Sequence, residues 1–561
     1  MAYYGISPQT SLRPGARTGL GAVLIAVLLA FNVISLAGGL LFVTVMPDKF
    51  GGLWNAYGLL MLVVLIGNPI MAARGEQNRR LAYSYLALHT AGMLLVPAMN
   101  TGASSEVTNL TSRSPLAIAI MLLLFLLGGL LALNKLRYPE QEIMFRFTDR
   151  PGRLKISVRI AVMVVCCLIL LAGIYISYEL LTKESAGILE VMVPEYAMFL
   201  ALMMLGATAL LLKLRRNHSG GWFNRVVRVV GAVLVIILFL PLIRVPSMLS
   251  SADAQYERAF GTNPDTLVHA AFMDIPFSIP EYFYGTPSGG YTVEENIVYY
   301  EGTEGVDEGI KLHYDVYMPA DSSEQLPGSG SVLIRIHGGG WTIGDKGAGN
   351  FAEVNKYFAA QGYVVFDVQY GLSSEKKFID YAEVPDNIVG DFTIDDMVRH
   401  IGLFTTFMAD RAEEYGADLS SVFISGGSAG GQLANAAALA MAGGEYEEML
   451  DPRLTVKGII PFYPANGLPG YVGIDGTEEL SDPALLVEED SPPALIYQGT
   501  HDGIVAPQIA EAFQEAYEAA GNSGAALISM PLASHGSDMY FSSYYNRPFM
   551  YYMERFMYQH R

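Results

Sequence analysis

Seven apolar stretches crowd into residues 1–249, and each is about as long as a bilayer is thick. They cover about 19–46, 52–72, 81–98, 114–134, 156–181, 194–213 and 227–249. A spanning helix needs roughly 20 apolar residues. In lipid the backbone must satisfy its own hydrogen bonds, so such stretches are helices. The third stretch is the shortest and carries His89, which reads as a packed or interhelical group rather than a ligand. Residues 250–561 lose this pattern and look globular.

Basic residues set the expected topology. Arg13 and Arg17 precede the first stretch. Arg74, Arg79 and Arg80 join the second to the third. Lys135, Arg137, Arg146, Arg150, Arg153, Lys155 and Arg159 join the fourth to the fifth. Lys213, Arg215, Arg216, Arg225 and Arg228 join the sixth to the seventh. The alternate connections hold only Lys49, Arg113 and Lys183. The N-terminus, residues 1–18, is therefore expected in the cytoplasm. An odd number of spans then puts residues 250–561 outside. The first stretch is too long for a signal-peptide core and is followed by others, so it reads as an uncleaved anchor. Asn109-Leu110-Thr111 is a glycosylation acceptor only in a eukaryotic secretory pathway. Trp54 and Trp222 fall near span ends, where interfacial anchors sit. Glu179, near the end of the fifth stretch, is expected to face the interface.

Charge divides the chain at the same place. Residues 1–249 hold 21 Lys+Arg against 10 Asp+Glu, whereas residues 250–561 hold 14 against 45. An acidic globular half has no basic footprint for nucleic acid. The only cysteines, Cys166 and Cys167, are adjacent inside an apolar stretch and cannot staple the globular half.

Two glycine-rich runs carry the chemistry. His337-Gly338-Gly339-Gly340-Trp341 follows the apolar stretch 331–336. Gly426-Gly427-Ser428-Ala429-Gly430-Gly431 follows the stretch 421–425. Both stretches read as short buried strands. The second run fits G-x-S-x-G, a crowded strand-to-helix turn that lifts a serine oxygen above a sheet. The glycines after His337 let backbone N–H groups converge where an oxyanion would form. Trp341 reads as a packing residue beside them.

Further strands are expected at 296–301, 311–318, 363–369, 456–462, 494–498 and 526–530. Helices are expected at 393–415, after the elbow, at 506–520 and at the C-terminus. The stretch 463–491 reads as irregular. Such alternation implies a mostly parallel sheet with helices on both faces, with the catalytic loops at the carboxyl ends of its strands. Ser428, Asp502 after the 494–498 strand, and His535 after the last strand then stand in the order serine, acid, histidine. His535 would take the serine proton, and Asp502 would orient the imidazole. Gly338, Gly339 and Ala429 would supply the oxyanion N–H groups. Asp538 is the weaker rival for the acid, and His501 is incidental.

Residues 291–561 resemble the α/β-hydrolase superfamily. The His-Gly-Gly-Gly run is similar to that of hormone-sensitive-lipase-like esterases and their acetyl- and feruloyl-esterase relatives. The resemblance implies carboxylic ester hydrolysis through an acyl-enzyme, with no metal and no cofactor. Two departures blur the subfamily. Gly427 stands where many such esterases carry an acid, and Asp367-Val368-Gln369-Tyr370 replaces a more usual Asp-Tyr-Arg.

The expected organisation is a transmembrane domain over 19–249, a linker or cap over 250–290 that is rich in aromatics, Pro and Gly, and a hydrolase domain over 291–561. The expected function is a membrane-anchored, extracytoplasmic serine esterase. Its partners would be the lipid bilayer and an ester, either an envelope lipid or an acylated glycan. The alternatives are an acyltransferase with the same nucleophile and a non-catalytic binding or sensing module.

Overall fold

The computed structural model describes residues 19–45, 49–74, 79–108, 113–137, 156–182, 188–215, 221–321, 325–347, 351–443, 446 and 449–561. Arg13, Arg17, Arg146, Arg150, Arg153, Lys155, Lys183, Arg216 and the Asn109–Thr111 acceptor lie outside the described residues.

The apolar half is a helix bundle: α1 (Gly19–Thr44), α2 (Gly51–Ala73), α3 (Arg79–Ser105), α4 (Pro115–Arg137), α5 (Ile156–Thr182), α6 (Ile188–Leu214), α7 (Trp222–Leu238) and α8 (Leu240–Phe260). Among the described residues, seven helices are long and apolar enough to cross a membrane, with α7 and α8 counted as one of 39 residues. α6 is the central helix and packs on α2, α3, α5 and α7. Polar groups inside the bundle pair across helices, as an apolar medium requires. Asn32 and Asn68 exchange two amide hydrogen bonds of 3.0 and 2.9 Å. His89 Nε2 meets the Leu65 carbonyl at 3.0 Å, which makes it an interhelical group. Lys135 and Lys213 donate to the Met71 and Ala72 carbonyls at 2.6 and 2.8 Å and so cap the end of α2.

α8 runs past residue 249 into the segment 250–290, which is packed between the two halves. Asn55 Nδ2 donates to the Phe277 carbonyl, and Asn55 Oδ1 accepts from the Ile279 N–H. All six residues of α9 (Ile279–Tyr284) are buried.

The remaining residues build an eight-stranded sheet. Its strands are β1 (Tyr291–Glu301), β2 (Lys311–Pro319), β3 (Ser331–Ile336), β4 (Val364–Val368), β7 (Asp418–Gly427), β8 (Val456–Phe462), β9 (Ala494–Gly499) and β10 (Ala525–Met530); β5 (Leu372–Ser373) and β6 (Val389–Gly390) pair separately. The order is β1-β2-β4-β3-β7-β8-β9-β10. β2 is antiparallel to both neighbours, and the other pairs are parallel. The helices are α10 (Phe351–Ala360), α11 (Ile394–Ala409), α12 (Ala412–Tyr415), α13 (Ala429–Gly443), α14 (Glu478–Ser481), α15 (Pro507–Ala519) and α16 (Asn546–His560).

Alternate strand residues point to opposite faces. Val332, Ile334, Val364, Phe366, Val422 and Ile424 enter a core with α11, α13 and α15. Leu333, Val365, Phe423, Ile460 and Leu495 enter a core with α10 and α16 that continues into the helix bundle. The two halves therefore share one apolar core.

Candidate active site

Ser428 sits between the end of β7 and the first turn of α13, with φ +56°. A serine rarely adopts this left-handed backbone, and here the neighbours hold it. Its N–H donates to the Phe462 carbonyl at 2.9 Å, and its carbonyl accepts from Gln432 and Ala465. Gly430 is forced by space: a Cβ there would stand 2.2 Å from the Ile336 carbonyl oxygen and 2.4 Å from that of His337.

His535 and Asp502 come together after β10 and β9. His535 Nδ1 lies 2.9 Å from Asp502 Oδ2. Oδ1 of Asp502 accepts from the Ile504 and Val505 N–H groups at 2.9 and 2.8 Å, and Gln498 Nε2 reaches Oδ2 at 3.2 Å. This carboxylate is fixed by four donors. Tyr463, directly after β8, bridges toward the serine. Its ring lies 4.4 Å from that of His535, and a Cβ on Gly427 would come within 3.2 Å of its hydroxyl. Among the described residues no hydrogen bond joins Ser428 Oγ to His535. In ligand-free sites that bond is often long and tightens on substrate.

The His337 loop packs directly on the elbow. A Cβ on Gly338 would lie 2.6 Å from the Gly427 carbonyl oxygen and 3.3 Å from Ser428 Cβ. Among the described residues the N–H groups of Gly338, Gly339 and Ala429 donate no hydrogen bond to the protein. His337 is fully buried and stacks on Tyr370 at 4.5 Å; burial holds it below the usual imidazole range. Trp341 is buried and donates to Gln432 Oε1 at 2.9 Å, so it belongs to the core. Asp538, the rival for the acid, has Oδ1 accepting from the Tyr463 hydroxyl at 2.7 Å, and burial pushes its carboxyl up.

Glu179 departs from expectation. It is buried rather than turned to the interface, and it lines a cavity with His501, Leu532 and Ser534.

Beneath the elbow runs a row of polar residues, of which only Asp367 stands out in the sequence. Register aligns Asp315, Asp367, Arg335 and Ser425 across β2, β4, β3 and β7. Arg335 Nη1 donates to Ser425 Oγ at 2.7 Å, which donates to the Ile460 carbonyl at 2.8 Å. The guanidinium lies 4.0 Å from the Phe351 ring. Burial lowers Arg335 to about 10 and raises Asp367 to about 7. The signal was a lone charge in each of two otherwise apolar strands.

The strand order, with a strained serine at the carboxyl end of a central strand, defines an α/β-hydrolase fold. Residues 314–473 match the BD-FAE family. The probable carboxylic ester hydrolase LipM of Mycobacterium tuberculosis is 24% identical over 261 residues, which are 41% of this chain and 54% of LipM. Esterase LipQ of the same organism is 25% identical over 229 residues, which are 37% of this chain and 50% of LipQ. The chain spans about half the length of these curated relatives. A solved structure of Thermogutta terrifontis esterase 2 phosphonylated by cyclosarin aligns with 46% of this chain and 88% of its own, at 24% identity and a TM-score of 0.34.

Proposed function

We propose that this chain is a membrane-anchored serine hydrolase that cleaves carboxylic esters through an acyl-enzyme. The observation that carries the reading is a strained Ser428 at the elbow, opposite a His535–Asp502 pair of 2.9 Å. Ser428 Oγ attacks the ester carbonyl carbon and passes its proton to His535 Nε2. The N–H groups of Gly338, Gly339 and Ala429 receive the oxyanion. The tetrahedral adduct collapses, and the alcohol leaves with the proton held by His535. Water then attacks the acyl-serine by the same route, releases the acid and restores Ser428. Asp502 accepts from the His535 Nδ1–H and so holds the imidazole in the tautomer that leaves Nε2 free for the serine proton. Esterase relatives and the BD-FAE match support this chemistry.

Seven apolar helices would fix the protein in a bilayer, with the N-terminus cytoplasmic and the hydrolase outside. The basic residues of alternate connections support that orientation.

The test is fluorophosphonate labelling of membranes that hold wild type, Ser428→Ala, His535→Ala or Asp502→Ala. Wild type alone should label strongly. Turnover should fall on the order of 10⁶ for the serine and histidine variants and about 10⁴ for Asp502→Ala. Labelling of Ser428→Ala at the wild-type level would overturn the mechanism.

A further inference from the structure

The serine and the histidine of the site sit on separate loops, and a pair of buried side chains joins those loops. The serine end is fixed by the residues after β8. The Ser428 N–H donates to the Phe462 carbonyl at 2.9 Å, and the Ser428 carbonyl accepts from the Ala465 N–H at 3.2 Å. Tyr463 lies between these two anchors. The histidine end is a tight turn. The Ser537 hydroxyl accepts from the Ser534 N–H at 2.9 Å and donates to the Ser534 carbonyl at 3.1 Å. Asp538 follows this turn directly, so its carboxyl group is tied to the loop that carries His535.

Tyr463 spans the gap. Its hydroxyl donates to Asp538 Oδ1 at 2.7 Å. Its ring packs on that of His535, with centroids 4.4 Å apart and planes inclined by 55°. The same ring borders the elbow: a Cβ on Gly427 would stand 3.2 Å from the hydroxyl and 3.4 Å from Cε2. Tyr463 and Asp538 are both buried, and a hydrogen bond shielded from water is stronger for it.

The backbone is bent to make this reach. Tyr463 has φ +37°, in the left-handed region that a bulky side chain rarely adopts. The Tyr463 N–H holds it there by donating to the Tyr497 carbonyl of β9 at 2.7 Å. Strain of this kind persists where the surroundings fix it, and it clusters at working sites.

We propose that Tyr463 and Asp538 are positioning residues, a strut that sets how His535 Nε2 meets Ser428 Oγ. Asp502 holds the imidazole at Nδ1, which leaves the ring free to swing about that bond. The face of Tyr463 stops the swing, and the Tyr463–Asp538 bond fixes that face to the histidine turn. The inference rests on the esterase reading and gives Asp538 a task other than that of the triad acid.

The test uses the full chain in phosphatidylcholine vesicles. It reads turnover of 4-methylumbelliferyl acetate and the rate of fluorophosphonate labelling, with a thermal melt to confirm folding. Tyr463→Phe keeps the ring and removes the bond. Its kcat should fall about tenfold with KM nearly unchanged, less than the ~10²-fold that a 1 Å misplacement costs. The labelling rate should fall by the same factor, whereas a merely structural role would lower the melt and leave that rate alone. Asp538→Asn still accepts from the Tyr463 hydroxyl, so it should stay within about threefold of wild type, whereas loss of a true triad acid's charge costs about 10⁴-fold. Asp538→Ala removes the acceptor and should match Tyr463→Phe. The double variant Tyr463→Phe/Asp538→Ala should be no slower than either single one, because both break one bond. A folded Tyr463→Phe with wild-type kcat and labelling rate would overturn the strut. So would a fall of Asp538→Asn on the order of 10⁴, which would make Asp538 the acid. Where Tyr463→Phe does not fold, Asp538→Ala decides on the same readings. Wild type that neither turns over nor labels refutes the esterase reading itself, and the strut with it.

Discussion

Replacing Gly338 by alanine tests the oxyanion site while leaving every triad residue in the sequence. The new Cβ would stand 2.6 Å from the Gly427 carbonyl oxygen. Carbon and carbonyl oxygen meet in close contact at about 3.3 Å, so the two loops must part by about 0.7 Å. Neither atom belongs to a flexible side chain. A displacement on the order of 1 Å at a reacting centre costs about 10²-fold in rate, and loss of one oxyanion donor costs about 10²–10³. The expected outcome is a fall in kcat on the order of 10², or about 2.7 kcal/mol of transition-state stabilisation. Overpacking should cost a further ~1–3 kcal/mol of stability. Two other alanines calibrate the result. At Gly443 a Cβ meets nothing within 4 Å, so both turnover and melting temperature should hold. At Gly430 it would meet two carbonyl oxygens at 2.2 and 2.4 Å, so that variant should not fold. Turnover of 4-methylumbelliferyl acetate and a thermal melt read all three. Gly338→Ala with wild-type kcat and an unchanged melt would refute the placement of the donors.

Asp307 gives a stability prediction with a pH sign. Its carboxylate accepts from Arg399 at 2.6 and 2.9 Å, from Tyr300 at 2.7 Å and from His400 at 3.0 Å. Burial alone would raise this carboxyl, but the bonds from His400, Arg399 and Tyr300 outweigh it and hold it well below the usual range. Its contribution is thus full above the unfolded value near 3.9 and is lost as pH falls below that. Asp307→Ala should cost about 3 kcal/mol at neutral pH, because Arg399 loses its counter-charge and the buried His400, whose imidazole burial holds below its usual range, loses its hydrogen-bond partner. The difference from wild type should shrink in melts below about pH 4, and a gap that stays constant into acid would contradict this. Protease treatment of intact cells should cleave a tag at the C-terminus, and protection there would reverse the proposed orientation.

Much of this architecture was legible because its signals are local. The apolar runs located the bundle, and the β-branched runs located the parallel strands. Ser428, Asp502 and His535 stood out as candidates because each follows a strand at the end where loops converge, and the last two meet at 2.9 Å. What escaped notice was long-range. α10 carries Glu353 and Lys356, which look solvent-facing; both are buried and paired at 2.9 Å, since the helix packs beside α3. α8 turns polar after residue 249, which hides a helix that leaves the bundle and meets α16 instead. Tyr552 of α16 donates to Asp253 of α8 at 2.8 Å. Arg335 and Tyr463 gain their meaning only from strands distant in sequence.

The shared core also governs how the chain must be made. α8 ends at Phe260, and its partner α16 begins at Asn546. At synthesis rates of about 5–20 residues per second, α8 leaves the ribosome roughly 15–60 s before α16 exists. Through that interval its inner face, with Met248, Ala252 and Tyr256, has no partner from the C-terminal helix. Insertion of the bundle therefore precedes closure of the hydrolase, and a chain truncated before residue 546 should be handed to quality control even though its nucleophile elbow is already complete.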